Sequence, residues 1–135
     1  LSDDFKVKQR LKGHTNSVFS AAYSADGKFL LTGSRDAHIK VWDVGKNYEL
    51  WHSIPAHRFT VNDIVFSPQG TSFATAGRDK EIRIWNALTF ELLKVISPDK
   101  NGGHLHSVNK LLWPRQLISG GDDRKVIVWD VNETT

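Results

Sequence analysis

One constellation recurs three times along the 135 residues, and it leaves few folds open. A His is followed four residues later by a Val, then by an Asp, and six residues after that Asp by Trp-Asp or Trp-Asn. The copies are His14/Val18/Asp36/Trp42-Asp43, His57/Val61/Asp79/Trp85-Asn86 and His104/Val108/Asp123/Trp129-Asp130, with successive Trp residues 43 and 44 positions apart. Between these markers lie short runs rich in β-branched and aromatic residues, broken by turn residues, and no window sustains a helical period. The pattern predicts strands over Val18–Tyr23, Phe29–Gly33, Ile39–Trp42 and Tyr48–Ile54, and again over Val61–Phe66, Phe73–Gly77, Ile82–Trp85 and Leu92–Ile96. Asp26-Gly27 and Pro68-Gln69-Gly70 mark the first hairpin of each set. The chain is therefore expected to be all-β, in units of 45 residues, each a sheet that must stack on its neighbours to bury its apolar face.

These repeats resemble WD40 repeats. The matching residues are Gly13-His14, Thr32-Gly33-Ser34, Asp36 and Trp42-Asp43; then His57, Thr75, Asp79 and Trp85-Asn86, with Ala56 in place of Gly and Asn86 in place of Asp; then Gly103-His104, Ser119-Gly120, Asp123 and Trp129-Asp130. The resemblance extends over residues 5–131. It implies β-propeller blades of four antiparallel strands, three blades here and hence an incomplete ring.

The third repeat departs from the other two. Val108 to Ser119 spans 11 positions, where Val18 to Thr32 and Val61 to Thr75 each span 14, so its first hairpin is shortened, with Trp113-Pro114 near the turn. Four extra residues before it fall in Pro98–Gly103, a loop-forming composition. No fourth strand is expected in Asn132–Thr135, whereas Phe5–Leu11 stands where a fourth strand belongs. The expected organisation is residues 5–12 as the last strand of a preceding blade, 13–55 and 56–102 as whole blades, and 103–131 as three strands of another. A start without Met, and no Met anywhere, suggest a piece of a longer chain. Its partners would then be the remaining blades of a parent propeller or a second copy of the chain.

Each repeat also carries a hydroxyl, an imidazole, a carboxylate and an indole: Thr32/His14/Asp36/Trp42, Thr75/His57/Asp79/Trp85 and Ser119/His104/Asp123/Trp129. Taken alone, Ser119/His104/Asp123 has the composition of a hydrolase triad. An active site needs one such set with an exposed nucleophile; this chain repeats the set at blade period, and no nucleophile-elbow pattern surrounds the hydroxyls. A buried indole N–H needs an acceptor, the hydroxyl can supply it, and His then links hydroxyl to Asp. The family resemblance implies the same tetrad, architectural in role, so no catalytic residue is expected. Metal ligation is equally poorly served: His104 and His106 form the one close pair, with no Cys in the chain. Gly102-Gly103 and Gly120-Gly121 fit no phosphate loop. Neither a metal nor a cofactor is expected. Asn132-Glu133-Thr134 matches a glycosylation sequon, a weak signal without a signal peptide.

Binding is the better prospect. In the family, partners usually dock on the loops that precede the first strand and that join the second and third. The positions implied here are Ser17, Phe19 and Arg35; Thr60, Asn62 and Arg78; Ser107, Asn109 and Asp122. Phe19 supplies an aromatic anchor, and Arg35 and Arg78 occupy equivalent places in adjacent blades; both residue types are enriched at hot spots. Paired Arg forks suit carboxylates or phosphates. The expected function is a non-enzymatic protein–protein interaction scaffold for proteins or peptides, with an acidic or phosphorylated segment as the favoured ligand. A nucleic-acid or phosphate-binding propeller is the alternative, disfavoured because a net charge of +3 is spread without a compact stripe interleaved with aromatics; a hydrolase is a remote third. No apolar run approaches the length of a membrane span, and the absence of a signal segment points to the cytoplasm.

Overall fold

The computed structural model describes residues 5–131. Among these residues, eleven strands form three antiparallel sheets. The first holds β1 (Val18–Tyr23), β2 (Phe29–Ser34), β3 (His38–Asp43) and β4 (Glu49–Pro55) in chain order. The second repeats the plan with β5 (Val61–Phe66), β6 (Ser72–Gly77), β7 (Ile82–Asn86) and β8 (Leu92–Ile96). The third has β9 (Val108–Leu112), β10 (Leu117–Gly121) and β11 (Val126–Trp129). Each sheet is one blade, β1, β5 and β9 are neighbours, and the ring they begin is open.

The turns follow from their residues. Gly27 and Gly70 close the first hairpins of blades 1 and 2 at φ 72° and 77°, the region only Gly enters freely. The second hairpins use a different device. Ala37, Lys80 and Arg124 take positive φ at the same place in each blade, and the Asp just before each accepts the backbone N–H two residues on, from His38, Glu81 and Lys125. The strain at each of these non-Gly residues is offset by that bond.

The core lies between blades rather than within one. Leu31, Ile39, Val41, Val61, Ile64, Phe73 and Trp85 fill the junction of blades 1 and 2; Ala74, Ile82, Ile84, Val108, Leu111, Trp113 and Leu117 fill that of blades 2 and 3. Trp113, which the sequence places near a turn, is a core residue of the second junction. Polar bonds reinforce that junction: Asp63 Oδ2 accepts the Leu111 N–H at 2.8 Å, and Asn62 Nδ2 donates to Val108 O at 2.8 Å and Ser107 Oγ at 2.9 Å. Ser20 occupies the position of Asp63 in blade 1, and its Oγ is buried without a partner. An unpaired buried hydroxyl costs free energy, so Ser20→Ala is expected to be neutral or to raise the melting temperature slightly; a clear loss in a thermal melt would mean that the hydroxyl is used.

Phe5–Leu11, expected to complete a preceding blade, has no strand pairing among the described residues, which hold no such blade. A strand is stable only against a ladder partner, and this segment has none among the described residues. It crosses blade 1 instead: Gln9 Nε2 donates to Asn47 O at 2.8 Å, and Val7, Lys8 and Leu11 line a cleft with Tyr23 and Tyr48, whose hydroxyls are 2.7 Å apart. The insertion at Pro98–Gly103 is not all loop, because Pro98–Asn101 makes one helical turn, α1, with the Ser97 side chain accepting from Lys100 N and Gly102 closing it at φ 66°. Four residues are too few to show a helical period. Asn132–Thr135, including the sequon, lie outside the described residues.

Candidate functional site

In all three blades the hydroxyl, imidazole, carboxylate and indole are in contact. Trp42 Nε1 donates to Thr32 Oγ1 at 2.9 Å, Thr32 Oγ1 is 2.7 Å from His14 Nε2, and His14 Nδ1 is 2.9 Å from Asp36 Oδ2. In blade 2 the same steps measure 3.0, 2.8 and 2.9 Å through Trp85, Thr75, His57 and Asp79. In blade 3 they measure 2.9, 2.8 and 2.8 Å through Trp129, Ser119, His104 and Asp123. The proton inventory fixes the roles. The hydroxyl accepts from the indole and has one proton left, which it gives to Nε2; Nδ1 then carries its proton and donates to the carboxylate. Each Asp also accepts the backbone N–H of the residue after its His, from Thr15, Arg58 and Leu105, which ties the loop between blades to the hairpin of the next sheet.

These bonds use up the groups that chemistry would need. Thr75 and Ser119 are wholly buried and Thr32 nearly so, so none of the three hydroxyls is open to a substrate. His57, Asp79 and Glu81 are the one group of three metal-capable side chains among the described residues. There both His57 nitrogens and both Asp79 oxygens are taken, and Glu81 holds Arg83 at 2.6 Å. His104 is buried in its tetrad while His106 is exposed, so that close pair does not converge.

Burial disfavours the charge on Asp36, Asp79 and Asp123. It is outweighed by the hydrogen bonds each accepts, from its His first and then from two backbone N–H groups, so all three carboxyls titrate below the usual range, Asp123 at about 2. A carboxyl whose folded pKa is depressed contributes stability above its unfolded pKa, about 3.9, and that stability disappears as pH falls through the folded value. The melting temperature is therefore expected to hold from neutral pH to about 5 and then to fall steeply from about pH 4 toward 2. A melting temperature unchanged at pH 2 would contradict this.

The loop positions expected to meet a partner divide into two groups. Ser17, Phe19, Arg35, Arg78 and Asp122 are exposed. Their loops are pinned in register: Arg35, Arg78 and Asp122 donate backbone N–H bonds to the carbonyls of Ser17, Thr60 and Ser107. Thr60, by contrast, is buried and is not available to a partner. Asn62 is spent on the junction with blade 3. From Ser107 a chain of bonds runs on through Asn109 to Asp122, so blade 3 presents a knitted polar surface. Two residues escaped the sequence reading: Phe59 and Leu105 are more than half exposed, in the loops just after His57 and His104. Arg58 lies beside Phe59, only loosely paired with Glu81 at 3.8 Å. An apolar residue in an otherwise polar loop was the available signal.

Comparison with known proteins gives a consistent result. The family described as WD domain, G-beta repeat matches residues 5–43, 48–86 and 93–130. Of solved structures, that described as "Structure of U3-55K" superposes with a TM-score of 0.81 at 29% identity, covering 90% of this chain and 38% of the other. The guanine nucleotide-binding protein subunit beta of Dictyostelium discoideum is 27% identical across the whole chain, which covers 39% of that protein. The Target of rapamycin complex subunit wat1 of Schizosaccharomyces pombe is 42% identical over 57 residues, 38% of this chain and 16% of that protein. The chain thus spans well under half the length of these relatives. Three matched repeats, three sheets of the expected topology and three complete tetrads lead to one conclusion: the chain belongs to the WD40-repeat family.

Proposed function

We propose that the chain is a non-enzymatic docking surface for another protein, engaged through the loops at the tetrad end of the blades, with an acidic or phosphorylated segment as its ligand. The observation that carries this reading is how the polar groups are divided. The repeated His, Asp and hydroxyl groups are consumed internally, while Phe19, Phe59 and Leu105 stay exposed and the loops that carry them and their neighbours also expose Arg35, Arg58 and Arg78. Exposed aromatic and guanidinium groups on one set of loops are the usual makings of a hot spot for an anionic partner. The names of relatives support a role in assemblies: one is a subunit of a Target of rapamycin complex, another is a U3 snoRNP-associated protein-like protein of Arabidopsis thaliana. No helix among the described residues is long and apolar enough to cross a membrane.

Replacing Phe19, Arg35 and Arg78 together by Ala is expected to weaken binding of an acidic, phosphoserine-containing peptide at least tenfold. Folding should survive, because exposed substitutions usually change stability by less than about 0.5 kcal/mol each. Fluorescence anisotropy and a thermal melt of the same sample measure both. Unchanged affinity would move the docking surface elsewhere. A single-stranded RNA that binds with a salt slope of several units would favour the nucleic-acid reading instead.

A further inference from the structure

The opposite end of the blades carries a second feature that the tetrad face does not explain. The turns after β1 and β5 and the segment after β7 enclose a groove of about 410 Å³ between blades 1 and 2. Phe29, Trp51 and Phe66 wall it, Leu88 stands at its rim, and Asp26 supplies a carboxylate. The volume falls in the range of ligand sites, about 300–1,000 Å³, and the lining is of the usual kind, apolar and aromatic with a few placed polar groups. Trp51 is stacked on Phe29 with ring centroids 4.8 Å apart and planes 13° from parallel, yet 47% of it remains exposed. Leu88 is 84% exposed. Phe90 meets both rings edge-on, at 6.2 and 5.7 Å, so the indole is held in place.

This wall is not a requirement of the repeat. Trp42 pairs with Leu50 and Trp85 with Leu92 across the last two strands of their blades, so the counterpart of Trp51 in blade 2 is Leu93. An indole held rigid and half exposed where the sister blade has an aliphatic residue is available for recognition. The carboxylate is equally fixed: Asp26 Oδ1 accepts the Ser24 hydroxyl at 2.7 Å and the Lys28 N–H at 3.0 Å. These bonds, the backbone one first and then that of Ser24, hold its pKa below the ordinary range. Lys28 is not part of the groove lining. The groove therefore offers aromatic surface and one negative charge, the complement of a flat cation.

We propose that this groove is a docking site for an arginine side chain of a partner protein, its guanidinium lying against Trp51 and paired with Asp26. The site belongs to blades 1 and 2 alone, so it is present whatever completes the ring. It is also independent of the face assigned above to acidic ligands, and the two can fail separately.

The test is a nuclear magnetic resonance titration that follows the Trp51 indole N–H. The probes are the capped tripeptides Gly-Arg-Gly, Gly-Lys-Gly and Gly-citrulline-Gly, the last an uncharged match in shape to the first. The arginine peptide is expected to shift the Trp51 signal saturably and to bind at least tenfold more tightly than the citrulline peptide. Asp26→Asn, which keeps the turn's acceptor oxygen, should remove most of that difference. Citrulline binding as well as arginine would overturn the role of charge. Lysine binding as well as arginine would overturn the choice of a planar cation. No saturable shift at Trp51 with any peptide would overturn the site.

Discussion

His57→Ala is expected to lower the melting temperature by roughly 10 °C or more. The His57 side chain is wholly inaccessible and is bonded at both ring nitrogens. Its loss leaves the Thr75 hydroxyl without a receiver for its proton and Asp79 without its strongest donor, both inside the protein. Each buried group left unsatisfied costs about 1–3 kcal/mol. A domain of this size moves by a few degrees for each kcal/mol. The Trp85 ring stays, because its own donor bond to Thr75 is retained. Damage should spread to the loop before β5, since Arg58 N–H is held by the same carboxylate. A variant that melted like the parent would deny the tetrad its architectural role and revive a chemical one.

How much of this was legible in the sequence depends on the kind of signal. Repetition is the strongest, and it carried the strands, the blades and the tetrad memberships, because the same spacing recurs in three copies. Features that occur once were hidden. The strand expected at Phe5–Leu11 had suitable residues, yet strand formation depends on a partner that spacing cannot supply. Thr60 and Asn62 were grouped with exposed loop positions by analogy with Ser17 and Phe19. The structure separates them: Thr60 is buried, and Asn62 carries an amide that reaches Ser107 and Val108 of blade 3, whereas Phe19 at the same position of blade 1 has no polar group to make such bonds. Asn62 therefore turns its amide into the junction, and Phe19 stays half exposed. Phe59, Leu105 and the stacked Trp51 obey no period, so the repeat pattern does not mark them as exposed.

The same comparison between blades shows that the arc is an unfinished packing unit. Val61 and Val108 are fully buried, each against the preceding blade, but Val18, at the same position of blade 1, is 55% exposed. Ile39, Val41, Ile82 and Ile84 are buried almost completely by the following blade, whereas their counterparts in blade 3, Val126 and Val128, are 75% and 59% exposed. Among the described residues β11 also ends its sheet without a neighbour, where blades 1 and 2 have β4 and β8. Apolar flanks and an edge of this kind are interaction surfaces by default, and propellers close with about four to eight blades. We propose that closure comes either from the other blades of a parent propeller or from a second copy related by two-fold symmetry. In the second arrangement Phe5–Leu11 of one copy would gain, beside β11 of the other, the ladder partner it lacks.

The most direct measurement is the mass of the purified chain by multi-angle light scattering at micromolar concentration, taken with a thermal melt of the same sample. Surfaces that need covering predict a mass of at least two chains, or a chain that melts cooperatively only when further blades are added in trans. A well-folded, cooperatively melting monomer of the isolated chain would contradict the account.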